Sequence, residues 1–88
     1  MYTVIAELED GNRYGGMANI GVRPTVVKGG NQTFEVNIFE FEGDLYGQVL
    51  KVQFVKFMRS EMKMNSLEEL KQQLARDAQS CRKVLERI

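Results

Sequence analysis

The sequence predicts a mainly β domain, with about four antiparallel strands followed by one C-terminal helix. Three observations predict it. Apolar and polar side chains alternate over much of residues 2–58, and residues typical of turns separate the alternating runs. A helix-capping sequence then precedes apolar residues at helical spacing. The chain has 88 residues, 43% of them hydrophobic, with 12 basic and 12 acidic side chains. A chain of this length forms one small domain around a single core.

The first predicted elements form a hairpin at the amino end. Residues 2–8 are rich in β-branched and aromatic types, and alternation places four apolar side chains on one face. These side chains belong to Tyr2, Val4, Ala6 and Leu8. Asp10-Gly11 suits a tight hairpin turn, so we expect a return strand from Arg13 to Asn19.

Two glycine-rich stretches interrupt the alternation. Gly15-Gly16 lies inside the return strand, where it indicates either a bulge or the close approach of a backbone or ligand, with the bulge favoured. Residues 21–32 contain the only proline and three glycines, which predicts a long loop that could include an extended piece at residues 25–27. Loops of this length are uncommon in small domains and are often functional.

A second hairpin is predicted over residues 33–58, with its turn at residues 42–47. The first strand alternates so that Glu35 and Asn37 share one face, which places a carboxylate beside an amide. The apolar side chains of the opposite face are Phe34, Val36 and Ile38. The second strand, residues 48–58, alternates apolar residues with lysine and glutamine.

A helix is predicted over residues 66–87. It begins at a capping box, Ser66-Leu-Glu-Glu69, in which the serine and the second glutamate satisfy free N–H groups of the first turn. Apolar residues follow at spacings of three and four, namely Leu67, Leu70, Leu74, Ala78, Cys81, Leu85 and Ile88. We expect this stripe to pack on the protein's own sheet, with Cys81 as a small core residue, because its mixture of sizes suits a coiled coil poorly.

Composition excludes several classes of function. The chain has no histidine, which excludes an imidazole base, and its single cysteine excludes an intrachain disulfide and paired-cysteine zinc sites. A catalytic base must therefore be a carboxylate, a lysine or a tyrosine. The balanced charge predicts neither nucleic acid nor a membrane surface as a partner. No signal peptide or long apolar run is present, which predicts a cytoplasmic location.

Two side chains are candidates for chemistry on pattern alone. Glu35 could act as a general base if it met a substrate hydroxyl, although a residue on the wet face of a half-buried sheet is the favoured interpretation. Arg59 follows the second strand of the predicted hairpin, where its fork of donors could hold a phosphate or a planar ring. A simple ion pair with Glu61 is the favoured alternative for this arginine.

Four segments taken together resemble the riboflavin kinase family, and the resemblance covers nearly the whole chain. They are Ala18–Thr25 (ANIGVRPT), Phe34–Phe41 (FEVNIFEF), Gly43–Gly47 (GDLYG) and Arg59–Leu70 (RSEMKMNSLEEL). In bacteria this kinase domain is usually the carboxyl-terminal half of a bifunctional riboflavin kinase and FAD synthetase. The resemblance therefore implies a parent protein with an N-terminal FMN adenylyltransferase domain and a role in FMN and FAD biosynthesis.

The resemblance also implies a fold, a reaction and three site residues. The fold is a six-stranded antiparallel Greek-key barrel with a terminal helix, in which ATP phosphorylates riboflavin to give FMN. Glu35 aligns with the catalytic glutamate, Tyr46 with a nucleotide contact, and Arg59 with an arginine-bearing loop that closes over the flavin. Two positions depart from the pattern: Met64 stands where an aromatic residue is expected, and Asn37 where bacterial members often have histidine.

The family's magnesium and ATP signature, a glycine-rich stretch leading into a Pro-Thr-Ala-Asn motif, is expected upstream of Tyr2. Pro24-Thr25 belongs to a different segment, so Thr25 is not assigned to magnesium, and no metal site is expected within the 88 residues. Residues 1–88 are therefore expected to form a partial kinase domain, incomplete at its N-terminal strands and inactive alone. Its exposed sheet edge predicts a homodimer or a loosened fold.

Two alternatives from other functional classes remain open. The chain could be a non-catalytic module that binds flavin or nucleotide. It could also be a small β-sheet domain whose helix mediates assembly.

Overall fold

The computed structural model describes residues 1–23 and 31–88, which contain four strands and one helix. The elements in chain order are β1 Tyr2–Glu7, β2 Arg13–Arg23, β3 Asn31–Ile38, β4 Lys51–Phe57 and α1 Leu67–Glu86. The strands form one antiparallel sheet in the order β3-β2-β1-β4. The predicted class, mainly β with one C-terminal helix, is confirmed.

The β1–β2 hairpin turns where the sequence predicts. Leu8 N donates to Asn12 O at 2.9 Å, Asp10 Oδ1 accepts from Asn12 N at 2.9 Å, and Gly11 has φ of +89°. A positive φ favours glycine because it has no Cβ. Strand β2 continues to Arg23 and β3 begins at Asn31, so both strands extend into the predicted loop of residues 21–32. The extended piece at residues 25–27 lies outside the described residues.

The favoured bulge at Gly15-Gly16 is wrong, because the β1–β2 register runs through both glycines without a shift. The other interpretation, close approach, is correct. A Cβ on Gly15 would collide with the Leu85 side chain of α1. A Cβ on Gly16 would stand 2.5 Å from the Asn37 carbonyl oxygen of β3. These glycines therefore let the helix and the edge strand lie close to β2.

The predicted second hairpin is also wrong. Strands β3 and β4 lie at opposite edges of the sheet, because β4 pairs with β1 while β3 pairs with β2. A fourth strand that returns beside the first is the Greek-key arrangement, and residues 39–50 make the long connection. Alternation shows that two segments are strands but does not specify their partners.

The sheet is strongly curved, and its concave face is aromatic. Three strand spacings of about 4.8 Å separate β3 from β4 along the sheet, yet the rings of Phe34 and Phe54 lie 5.9 Å apart. Tyr2 packs edge-on against Phe54 at 5.0 Å and against Phe57 at 5.2 Å. Beneath these rings Val4 is fully buried.

The closed six-stranded barrel implied by the resemblance is not seen within the described residues, which form an open four-stranded sheet. Strands β3 and β4 each leave one edge without a partner strand in this part of the chain. Self-association through such an edge stays a prediction.

Helix α1 covers the convex face and forms the second half of the core. Its N-cap is Ser66, whose Oγ accepts from Glu69 N at 3.1 Å, and its bounds lie within the predicted range. The buried cluster between the helix and the sheet consists of Met1, Met17, Phe39 and Cys81, with Met58, Leu74, Ala78 and Leu85 packed against them. The middle of the predicted stripe therefore packs on the sheet, while Leu67 and Ile88 at its ends are exposed. Among the described helices none is long and apolar enough to cross a membrane.

Candidate functional site

A cavity of about 590 Å³ opens on the convex side of the sheet, beside the helix. Strands β2 and β3 supply Asn19, Glu35 and Asn37, and the segment between β4 and α1 supplies the facing wall. The full lining is Met1, Met17, Asn19, Glu35, Val36, Asn37, Arg59, Glu61, Met62, Lys63, Met64, Leu70 and Leu74. We call this space the Glu35 cavity, and we call residues 58–66 the Arg59 segment.

Glu35 lies in the middle of β3, where alternation turns it toward the cavity. Its Cα partner across the ladder is Asn19 of β2, and Asn37 lies two residues further along the same face. The predicted juxtaposition of a carboxylate with an amide is therefore present. Glu35 is exposed, so its oxygens are accessible to a molecule that enters the cavity.

Arg59 lines the same cavity, and its guanidinium is held by the helix. Nε donates to Asp77 Oδ1 at 2.8 Å, Nη2 donates to Asp77 Oδ2 at 2.6 Å, and Nη1 donates to the Ser60 carbonyl at 2.9 Å. The ion pair of Arg59 among the described residues is thus with Asp77, and the favoured pairing with Glu61 is wrong. Parallel hydrogen bonds of this kind fix the plane of the guanidinium as well as its position.

Asp77 is the buried partner in this ion pair. Its side chain is only 6% exposed, and it accepts a further bond from Gln73 Nε2 at 3.1 Å. The hydrogen bonds from Arg59 lower the pKa of the Asp77 carboxyl, although burial opposes this shift. The same bonds raise the pKa of the Arg59 guanidinium. Both groups are therefore charged over the whole physiological pH range.

The Arg59 segment packs closely over β2. A Cβ on Gly21 would lie 2.8 Å from Glu61 Oε1 and 3.1 Å from Thr33 Oγ1, so the absence of a side chain makes room for Glu61. Lys63 and Met64 extend the wall from there. The position where the resemblance implies an aromatic residue therefore faces the cavity, with a methionine in its place.

A second, more open cavity lies on the other side of Asn37. We call it the Tyr46 cavity; its lining is Val36, Asn37, Ile38, Phe41, Gly43, Asp44, Leu45, Tyr46 and Gly47. Asp44 Oδ1 accepts from Tyr46 N at 2.8 Å, which orders the turn locally. The Tyr46 side chain is 94% exposed. Tyr46 does not line the Glu35 cavity, but Val36 and Asn37 line both cavities.

A metal site was not expected from the sequence. Within residues 1–23 and 31–88, no group of three or more acidic, histidine or cysteine side chains could hold a metal ion. A magnesium site built from three or more such side chains is therefore not present among the described residues. Thr25 lies outside them.

Sequence reasoning missed Asp77 and Asn19. Asp77 carried a signal, because it lies three residues after Leu74 and four before Cys81, within the apolar stripe of the helix. A charge at such a position is buried only when it is paired. Asn19 carried no such signal, since its importance depends on the register between β2 and β3.

The strand order defines a small Greek-key β domain, and two adjoining cavities flank its edge strand β3. The family model Flavokinase, described as riboflavin kinase, matches residues 1–85. The chain belongs to the riboflavin kinase family.

Individual relatives agree with this assignment. The bifunctional riboflavin kinase/FMN adenylyltransferase of Haemophilus influenzae is 37% identical over 82 residues, which are 93% of this chain and 26% of that protein. An RNA-binding riboflavin kinase of Bacillus subtilis is 36% identical over 73 residues, covering 83% of this chain and 32% of that protein. A crystal structure from Streptococcus pneumoniae, described as a macrolide-efflux protein, matches with a TM-score of 0.82 and 34% identity, over 92% of this chain and 26% of that chain.

The chain thus spans about a quarter to a third of the length of these three proteins. Since one relative is described as RNA-binding, the expected lack of a nucleic-acid partner stays a prediction.

Proposed function

We propose that this chain carries the riboflavin kinase reaction, in which ATP phosphorylates the 5′-hydroxyl of riboflavin to give FMN and ADP. One observation carries the proposal beyond family membership: Glu35 and Asn37 both line the Glu35 cavity, and Asn37 also lines the adjoining Tyr46 cavity. A phosphoryl acceptor in the first cavity and a nucleotide in the second would meet at this strand. Phosphoryl transfer depends chiefly on such positioning and on charge compensation.

Glu35 is the base in this scheme. Its carboxylate takes the proton of the 5′-hydroxyl while the hydroxyl oxygen forms a bond to the γ-phosphorus of ATP. The bond from the γ-phosphorus to the bridging oxygen breaks, and ADP leaves with that oxygen. The chain has no histidine, so a carboxylate is the natural proton acceptor near neutral pH.

Arg59 and Tyr46 would bind the two substrates. The Arg59 guanidinium has five N–H groups, of which three are engaged by Asp77 and Ser60. Two N–H groups and the planar face are left for the flavin, and arginine stacks well on aromatic rings. The exposed Tyr46 ring can stack on a nucleotide base.

Magnesium would compensate the charge on the transferring phosphates when ATP is bound. Within the described part of the chain, no cluster of three or more acidic or cysteine side chains would hold the metal. The names of the relatives pair riboflavin kinase with FMN adenylyltransferase. We therefore propose an FMN adenylyltransferase as the activity that consumes the product.

The test has a binding part and a turnover part. Riboflavin is titrated into the 88-residue chain and followed by flavin fluorescence, with and without ATP and magnesium. FMN formation is then measured by chromatography for the protein expressed from its complete reading frame. We expect saturable riboflavin binding and ATP-dependent FMN formation. Binding without FMN formation in that protein would instead favour a non-catalytic flavin-binding module.

Glu35→Gln tests the role of the base, with Glu40→Gln as the matched control. Glu40 lies five residues further along and lines a different cavity, beside Phe39 and Arg82. Loss of a general base lowers the rate by about 10² to 10⁴-fold, so we expect that loss of kcat for Glu35→Gln and none for Glu40→Gln. A fall of less than about tenfold for Glu35→Gln would reject the role.

A further inference from the structure

We infer that Asp77 is a positioning residue for flavin binding: through Arg59 it fixes the Arg59 segment as the wall of the Glu35 cavity. This inference rests on the proposed function for its substrate, but its structural part stands on the geometry alone. Asp77 does not line the cavity itself, and its effect must therefore pass through Arg59.

The helix holds Asp77 in a single orientation. Gln73, one turn earlier, donates to Oδ1 at 3.1 Å, and the two bonds from Arg59 occupy both carboxylate oxygens. The adjoining turn carries Ala78 and Cys81, which pack in the core beneath the helix. A carboxylate placed in this way is a rigid anchor, because neither its backbone nor its side chain is free to move.

The backbone of Arg59 is held from the other side. Met58 N and Arg59 N donate to Met1 O at 2.8 and 3.3 Å, which extends the β1–β4 ladder past the end of β4. The Arg59 segment is thus clamped at its start by a strand through the backbone and by the helix through the side chain. At its far end Asn65 N donates to Glu69 Oε2 at 2.8 Å. Residues 61–64, between these anchors, line the cavity.

The ion pair with Asp77 also determines which carboxylate the Arg59 guanidinium contacts. Glu35 and Glu61 line the same cavity as Arg59, so a guanidinium released from Asp77 would be drawn to one of these carboxylates. Such a contact would occupy the base or pull the wall inward. By engaging one edge of the guanidinium through Nε and Nη2, Asp77 keeps Glu35 free for a substrate hydroxyl and leaves the face of Arg59 open.

Asp77→Asn tests the inference with the smallest change of shape. The control is Glu68→Gln, which replaces an exposed carboxylate of the same helix that, among the described residues, accepts a side-chain hydrogen bond from Gln72 Nε2. Amide hydrogen exchange of residues 60–65 is measured in the unliganded 88-residue chain. We expect exchange over residues 60–65 to be about tenfold faster in Asp77→Asn and unchanged in Glu68→Gln, whereas exchange over the middle of α1 in Asp77→Asn reports the separate loss of global stability. Equal exchange in Asp77→Asn and the unsubstituted chain would overturn the inference.

Riboflavin and ATP parameters separate positioning from a general loss of structure. For Asp77→Asn we expect the riboflavin Kd of the 88-residue chain to rise about tenfold or more. In the protein expressed from its complete reading frame we expect the KM for riboflavin to rise similarly, while the KM for ATP stays unchanged. Asp77→Glu keeps the charge and is expected to recover part of the riboflavin affinity. An equal rise of both KM values, or a riboflavin Kd within about twofold of the unsubstituted chain, contradicts the inference.

If Asp77→Asn does not fold, Arg59→Lys provides the second variant. It keeps the positive charge but loses the two-bond geometry, so the same faster exchange over residues 60–65 is expected. The proposed function fails if the unsubstituted chain binds no riboflavin and the protein expressed from its complete reading frame forms no FMN. The exchange comparison still decides whether Asp77 anchors the Arg59 segment.

Discussion

The two faces of the sheet are built from the same four strands but are stabilised in different ways. The concave face holds its aromatic side chains against one another, and Phe34 there is 51% exposed. The convex face is covered by α1, and Phe39 on that side is 8% exposed. The convex face also carries the polar site and the buried ion pair between Arg59 and Asp77.

The difference shows where a small domain can place a polar cavity. The helix covers only part of the convex face. The cavity lies beside the helix, where the Arg59 segment forms its wall. A rigid helix at its border supplies an anchor for a wall that is otherwise a short irregular segment. Among the described residues no helix covers the concave face, and its aromatic rings pack against one another.

The largest expected effect on stability comes from truncating one aromatic side chain on each face of the sheet. Phe39→Ala removes a buried ring beneath the helix and is expected to lower the free energy of unfolding by about 3 to 5 kcal/mol. Phe34→Ala removes a ring that is already half exposed, and about 1 to 2 kcal/mol is expected. Urea unfolding of the two variants measures both values. Equal losses would show that the concave face is as well packed as the convex one.

A smaller effect depends on pH and on Asp77. The pKa of Asp77 is lowered in the folded protein, so the ion pair stabilises the fold above the ordinary aspartate pKa of about 4 and this stabilisation is lost as pH falls further. At pH 7 Asp77→Asn should cost about 3 kcal/mol, because it leaves Arg59 without its partner. Unfolding measured from pH 7 to pH 2.5 should therefore show the two proteins converging. A constant difference across this range would contradict the assignment.

The smallest effect on stability is expected at Tyr46. Its side chain is 94% exposed and its turn is ordered by Asp44 through the backbone, so Tyr46→Ala should change the free energy of unfolding by less than about 0.5 kcal/mol. If the ring stacks on a nucleotide, the KM for ATP should nevertheless rise several-fold, with the KM for riboflavin unchanged. An unchanged KM for ATP would show that Tyr46 does not bind the nucleotide.

Much of the candidate site could be predicted from residues near one another in the chain. Glu35 and Asn37 share a face because side chains alternate along a strand. This prediction does not require knowledge of the neighbouring strands. The partner of Arg59 could not be predicted in the same way. Glu61 was the nearby carboxylate, but Asp77, 18 residues away, is brought to the guanidinium by the packing of α1 on the sheet.

The sequence by itself determined the local elements of this protein: the turn at Asp10-Gly11, the cap at Ser66, the extent of the helix and the alternating faces of the strands. These depend on backbone preferences and on neighbours within four residues. Only the tertiary structure decided that β4 pairs with β1, and that the helix covers the face that carries Glu35. Alternation divides a strand into two faces but does not say which face a helix will cover, because that choice depends on contacts between segments distant in the chain.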